Sequence, residues 1–352
     1  MSELANFGVQ ADTLAPQTKP RPPRVNNRVA HIDADFLSYQ IAADTREEMD
    51  GIRPMRTLEY KLAQIEDIAH EIMERAGAAS YVLHVTPAGS TKGGRAAQAV
   101  QKEYQAQRAG RTKPDHLDAI RGAIGAGCWR YGRGMVHLDQ EADDGMAQAG
   151  ANDLENAVVC SKDKDLRMSP GWKMDMDTDE RIFVAPDDFG CISIDDTKSS
   201  KKLVGYGPKF FWAQCLMGDT VDNIQGIPLV SGMDIQGLKD PELLEQNKKL
   251  YLSLDRKSAP WQRIEAAWSK TKSCGPVLTF DLLNDCTTNK EAFERVRELF
   301  QNIERVNKYQ FTHWRTGEHV SSTVALLGDM RLLWMRLTKN PDDVLRWLKQ
   351  YV

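Results

Sequence analysis

The stretch VAHIDAD, Val29–Asp35, sets the reading of the fold. Its apolar run, Val29 to Ile32, is too short for an average helix and ends in Asp33. Three later runs share this character: Tyr81–Val85, Met135–Leu138 and Ala157–Cys160, each short and rich in branched side chains. Between the first two, Leu58, Leu62, Ile65, Ile68, Ile72 and Met73 recur at spacings of three and four, which predicts a helix. A second helix is expected after Glu141. Strands alternating with helices predict an α/β fold, with a mainly parallel central sheet flanked by helices.

The character changes after Ile194. VGYGPKFFWAQCLMG, Val204–Gly218, reads as a helix, and a glycine-rich turn region runs on through Gly237. The rest is mostly helical, with Asn340 and Pro341 as cap and first residue of a late helix. Three segments result: a disordered, proline-rich arm over 1–27, an α/β core over 28–195, and a mostly helical C-terminal region over 196–352.

The 352 residues are 41% hydrophobic and 27% charged, ordinary for a globular protein with a sizeable core. The net charge of −4 gives no sign of a nucleic-acid partner by itself, because clustering of basic residues matters more than their sum. Six scattered cysteines, none in a C-x-x-C pair, argue against zinc and for free thiols in a reducing cytoplasm. His31, Cys160 and Cys215 lie in apolar runs and read as core, as do Trp334 and Trp347. No apolar stretch approaches the ~20 residues of a membrane span and no basic start precedes an apolar run, so no membrane partner is expected.

Acidic residues gather in four groups: Asp33 and Asp35 in HIDAD; Glu141, Asp143 and Asp144 in EADDG; Asp163 and Asp165 in SKDKDL; Asp219 and Asp222 in GDTVDN. A single acidic pair is ordinarily solvated surface or helix-start chemistry. Here Asp33 and Asp163 follow predicted strand ends, and Glu141 follows the third run by three residues. The crevice beyond the carboxyl ends of parallel strands is where such sheets bind ligands. Asp219 and Asp222, three apart, would share one side of a helical turn; Asp163 and Asp165, two apart, one side of an extended segment. Glu141 fits an entering loop, with a helix starting near Ala142. Carboxylates packed into one pocket repel, and hard divalent ions, Mg²⁺ or Mn²⁺, relieve this. Two such ions can activate water and stabilise the leaving oxygen of a phosphodiester.

Between Thr91 and Lys113 lie six basic residues (Lys92, Arg95, Lys102, Arg108, Arg111, Lys113) and one acid, Glu103. Tyr104 among them could stack on a terminal base, and the strip could contact phosphates. GIPLVSG, with Gly226 and Gly232, follows Asp222, and backbone amides at such a turn suit phosphate.

HIDADFL, YQAQR, EADDGMA, SKDKDL and GDTVDNIQGIP, in this order and over Arg28–Pro228, resemble the 5′-nuclease superfamily of flap endonucleases and polymerase 5′-nuclease domains. The resemblance is greatest to the 5′→3′ exonucleases of short-tailed bacteriophages. It implies a PIN/5′-nuclease-like fold with a basic arch over about 88–115, then a duplex-binding helix–three-turn–helix that can hold K⁺. It implies two Mg²⁺ or Mn²⁺ ions: Asp33, Glu141, Asp143 and Asp144 serving the catalytic one, Asp163 and Asp165 close by, Asp219 and Asp222 serving the second. The chain departs from the pattern twice. Relatives carry an Asp after the second strand, where this chain has Thr86 and Pro87; they carry a lysine where it has Gln105, so Lys92, Lys102 or Arg95 would take that role. The implied partner is double-stranded DNA with a 5′ end, or an RNA–DNA hybrid, in phage replication or host DNA breakdown within the host cytoplasm. Three activities follow in order: 5′→3′ exonuclease, structure-specific flap endonuclease, and a DNA-binding protein of weak catalysis.

Overall fold

The structure, a computed structural model, describes residues 23–43, 57–197, 199–272, 274–305 and 308–351. Most of the proline-rich arm lies outside these residues. The first half runs through β1 (Val29–Asp33), α1 (Ala34–Ala43), α2 (Leu58–Arg75), β2 (Ser80–Val85), the short α3 (Arg95–Gln98), α4 (Leu117–Ala126), β3 (Cys128–Trp129), β4 (Gly132–Val136), α5 (Ala142–Asn152), β5 (Ala157–Ser161), β6 (Gly171–Asp175) and β7 (Arg181–Val184). These strands form one sheet in the order β3-β4-β2-β1-β5-β6-β7. The five inner strands are parallel, and the short edge strands β3 and β7 run antiparallel. Strand order reverses about β1, which lies between β2 and β5.

Alternation along each strand divides the side chains between two faces. Val158 and Cys160 of β5 join Ile32, Leu83, Ile65 and Ile120 in a core under α1, α2 and α4. Val159 points the other way, to Met146 and Ala147 of α5. α5 approaches so closely that a Cβ on Gly145 would lie 2.1 Å from the His137 ring.

The second half holds the hairpin β8 (Cys191–Asp195) and β9 (Lys202–Tyr206), α6 (Gly207–Met217), β10 (Val230–Ser231), α7 (Gly232–Lys239), α8 (Pro241–Ser253), α9 (Ala259–Ser269), β11 (Thr271–Lys272), α10 (Pro276–Leu283), α11 (Asn289–Arg305), α12 (Ser322–Leu333) and α13 (Asp343–Leu348). α6 is buried around most of its girth, and Phe210, Phe211, Trp212, Cys215 and Leu216 pack against α10, α11 and α12. Trp334 and Trp347 stack in this core, their ring centroids 4.4 Å apart. No helix among the described residues is long and apolar enough to cross a membrane.

The sheet departs from the sequence reading in places. The third run is expected at Met135–Leu138, yet the strand is Gly132–Val136 and Leu138 is exposed. Gly134 lies so close to α4 that an added Cβ would fall 1.8 Å from the Ile124 carbonyl oxygen. Close packing, not apolar bulk, places this strand. Asp219 and Asp222 are not on a helical turn, because α6 ends at Met217 and Gly218 turns the chain at φ 71°. α13 begins after Asp342 rather than at Asn340, since Asp343 is held inward by Trp334 Nε1 and the Leu337 amide.

A buried carboxylate ties the two halves together. Asp329 of α12 accepts from Gln101 Nε2 at 2.5 Å and from the Gly226 amide at 3.0 Å. Burial pushes its carboxyl up to about 8. The folded value lies above the unfolded one, so this group's contribution to stability is lost as pH rises from about 4 to 8. The thermal midpoint of the wild type should therefore fall relative to Asp329→Asn across that window. Midpoints that stay parallel in calorimetry would contradict the shift.

Candidate metal centre

The carboxyl ends of adjacent strands β1 and β5 meet at Ser161. Asp33 ends β1 and caps α1, its Oδ1 accepting from the Phe36 amide at 3.0 Å. Its Oδ2 accepts from Ser161 Oγ at 2.9 Å, and the same hydroxyl accepts from the Asp163 amide at 3.0 Å. Asp163 caps a 3₁₀ turn over 164–168, accepting from the Asp165 amide. Asp143 lies in the first turn of α5, with Glu141 in the extended capping position just before it. The three aspartates sense one another. Burial, then the charges of Asp33 and Asp163, push Asp143 well above the usual carboxylate range. Burial and the charges of Asp165 and Asp33 do the same to Asp163. Burial raises Asp33 against its hydrogen bonds from Phe36 and Ser161. Among the described residues, Lys and Arg side chains pair with Glu141, Asp144, Asp165, Asp219 and Asp222, while Asp33, Asp143 and Asp163 have no such pair.

Glu141 and Asp144 belong to an ion-pair network. Arg95, 1% exposed, places Nε 2.9 Å from Glu141 and Nη2 2.7 Å from Asp144. Its guanidinium also donates to the carbonyls of Arg331, Leu332 and Trp334 at the end of α12. Asp144 is fully buried, and its Oδ1 accepts from the Arg336 amide as well. Asp144 Oδ1 is thus shared between Arg95 and the C-terminal segment. Arg95 is not free to polarise a phosphate. Tyr104 is buried, its hydroxyl donating to Glu141 at 3.2 Å and to Asp222 at 3.4 Å, so it presents no face to a base. Successive helical residues point about 100° apart, which sends Asp143 and Asp144 in different directions.

The outer acids are occupied by donors. Asp165 accepts from Gln214 Nε2 at 2.6 Å and lies 3.3 Å from Lys164 Nζ. The same ammonium is 3.2 Å from Asp219, whose other oxygen accepts from the Val221 and Asp222 amides. Asp222 receives Arg108 at 2.6 Å and Gln105 Nε2 at 3.0 Å. Gln105 in turn accepts from Lys92 Nζ at 2.6 Å, so Lys92 is the cation placed beside Gln105.

The rest of the basic strip divides by exposure. Lys102, Arg108, Arg111 and Lys113 face solvent, and Lys113 pairs loosely with Asp118 at 3.4 Å. The glycines after Asp222 are used internally. The Gly226 amide is bound by Asp329, and the Gly232 amide donates to the Lys270 carbonyl at 3.0 Å. Neither is free for a phosphate, and the expected K⁺ turn loses these two amides as its basis.

Further residues complete this edge of the sheet. Asp35 pairs with Arg121 at 2.9 Å and accepts from the Thr86 amide at 3.0 Å. Thr86 Oγ1 accepts from the Ala142 amide at 2.9 Å, capping α5. Beneath the acids a histidine chain crosses the sheet. His31 Nδ1 and His84 Nε2 are 2.9 Å apart, as are His84 Nδ1 and His137 Nε2. Burial holds all three below the usual imidazole range, His31 at about 4. Only the register of neighbouring strands aligns these rings, and a linear sequence carries no sign of it.

The donor set suits a hard divalent ion: oxygen ligands with unrelieved negative charge. Among the described residues, no three carboxylate, imidazole or thiol side chains are grouped closely enough to ligate one ion. An ion at Asp33, Asp143 and Asp163 would therefore take one or two carboxylates directly and water elsewhere, the usual habit of Mg²⁺.

No family model and no curated protein matches the chain. Solved structures from T5 are similar to it at low identity. A T5 protein co-crystallised with metal ions is 12% identical, with 87% of this chain and 99% of that one covered, at a TM-score of 0.36. A variant of the bacteriophage T5 flap endonuclease, in a pseudo-enzyme–product complex with DNA and metal ions, is 14% identical over 80% and 100%, at 0.39. A T5 5′-exonuclease variant is 12% identical over 88% and 99%, at 0.34.

Three outcomes follow for stability. Asp143→Asn should raise the metal-free thermal midpoint at pH 8, because it removes one of the mutually repelling charges. Mn²⁺ should raise the wild-type midpoint, by about 2.7 kcal/mol of stability at 100 times Kd, and raise the variant's less. A fall in the metal-free midpoint would refute the repulsion. Arg95→Ala strands the buried Asp144 and should cost roughly 3–5 kcal/mol in denaturant unfolding; a loss under 1 kcal/mol would remove Arg95 from this role.

Proposed function

We propose that the chain is a metal-dependent phosphodiesterase of the 5′-nuclease kind, acting as a 5′→3′ exonuclease on double-stranded DNA. One observation carries this: at the carboxyl edge of a parallel sheet the charges of Asp33 and Asp163 push Asp143 up, and among the described residues none of the three is paired with a Lys or Arg. Such a group is costly to the fold unless a cation joins it. Asp33, Asp143 and Asp163 would hold Mg²⁺ or Mn²⁺. When bound, the ion supplies Lewis-acid activation of a water and of the scissile phosphate.

The protein's own groups have separate tasks in this reading. Glu141, fixed by Arg95, orients water at the edge of the centre. Lys92, beside Gln105, takes the place of the lysine found in similar proteins. Exposed Lys102, Arg108, Arg111 and Lys113 bind backbone phosphates, which makes affinity fall with salt. The 5′ polarity rests on the sequence motifs. An RNA–DNA hybrid is a second substrate to try, and flap cleavage a second outcome on the same fold.

The test is a 5′-labelled duplex, with and without a 5′ overhang, incubated with Mg²⁺, with EDTA, and with Asp143→Asn plus Mg²⁺. Release of mononucleotides from a flush end is expected only from the wild type in Mg²⁺. Cleavage confined to the overhang would select the flap endonuclease. Binding without cleavage of any substrate would leave a DNA-binding protein, and equal cleavage by Asp143→Asn would move the centre elsewhere.

A further inference from the structure

We infer that Lys164 and Arg108 stand in for a second divalent ion, so that the centre takes one ion, at the inner aspartates. This rests on the metal reading of the same site. Lys164 Nζ bridges two carboxylates from separate elements, 3.3 Å from Asp165 on the turn after β5 and 3.2 Å from Asp219 beyond α6. The Phe210 ring lies 5.8 Å away and adds a weak cation–π contact. Arg108 covers Asp222 at 2.6 Å.

Both oxygens of Asp219 and of Asp222 are engaged, and Asp165 shares one oxygen, Oδ1, between Lys164 and Gln214. Asp165 accepts from Gln214, Asp219 from two backbone amides, and Asp222 from Gln105 and Tyr104. A divalent ion entering here would have to displace the ammonium of Lys164 and detach Arg108, or sit against their like charge. The inner aspartates present the reverse case, since none of the three is paired with a Lys or Arg among the described residues, while the outer three each are. The two cationic side chains are about half exposed, at 53% and 47%. A phosphate arriving at the outer acids therefore meets an ammonium and a guanidinium directly.

Titration of the full chain with MnCl₂, following free Mn²⁺ by electron paramagnetic resonance, counts the ions. One ion per wild-type chain is expected. Lys164→Met should bind two, and Lys164→Arg one. Two ions of similar affinity on the wild type would overturn the inference and leave the nuclease reading standing; no ion at all would overturn both. Retention of one ion by a folded Lys164→Met, checked by circular dichroism, would likewise overturn it. Should that variant fail to fold, the wild type and Lys164→Arg still decide.

Discussion

Like charges sharing a low-dielectric space must be neutralised by a proton, by a cation or by separation, and the carboxyl edge of this sheet uses each means at a different place. Asp144 is matched by Arg95 in full burial. Asp35 is matched by Arg121, Asp222 by Arg108, and Asp165 and Asp219 share Lys164. Glu141 has Arg95 on one side and Lys92 at 3.9 Å. Among the described residues, Asp33, Asp143 and Asp163 have no Lys or Arg ion pair. The protein's own cations therefore draw a boundary inside what looks in sequence like one acidic set. The inner group is where an external cation gains most.

That boundary depends on Arg95, which is also the tie between the two halves of the fold. Burying a guanidinium is expensive unless its donors are met. Here Asp144 and three carbonyls from the end of α12 accept from its two terminal nitrogens, and Glu141 lies 2.9 Å from Nε as an ion pair. Arg336 extends the tie, its guanidinium donating to Gly93 and Gln98 while its amide donates to Asp144. The last helices are thus held to the first turn of α5, where Glu141 and Asp143 sit. Loss of packing around α12 would be felt at the acids through this contact.

The elements legible in the sequence are those whose signal is local. β1, β2, β5 and α2 were visible because apolar runs and three-four spacing need no partner to be recognised. The carboxylates at the ends of β1 and β5 followed from the same logic. β6, β7, β8 and β9 were missed: they are four or five residues long and mix charged with apolar side chains, so their pairing is set by neighbours rather than by pattern. The internal contacts of Arg95, Tyr104, Gly226 and Gly232 are not legible for a related reason: residue type suggests exposure, whereas their partners, Leu332, Asp222, Asp329 and Lys270, lie 38 or more residues away and cannot be paired without the fold.

Thr86 shows how the charge balance reaches even a capping residue. It stands just after β2, where the resemblance implies an aspartate, and its hydroxyl accepts from the first amide of α5. A carboxylate could make the same cap, and the helix dipole would favour it. It would also put a further negative charge beside Asp35, which already accepts from the Thr86 amide and already raises Asp143. Threonine keeps the cap and omits the charge. With one acid fewer near the inner group, and the outer acids answered by Lys164 and Arg108, both changes move the centre the same way: less negative charge for external cations to balance.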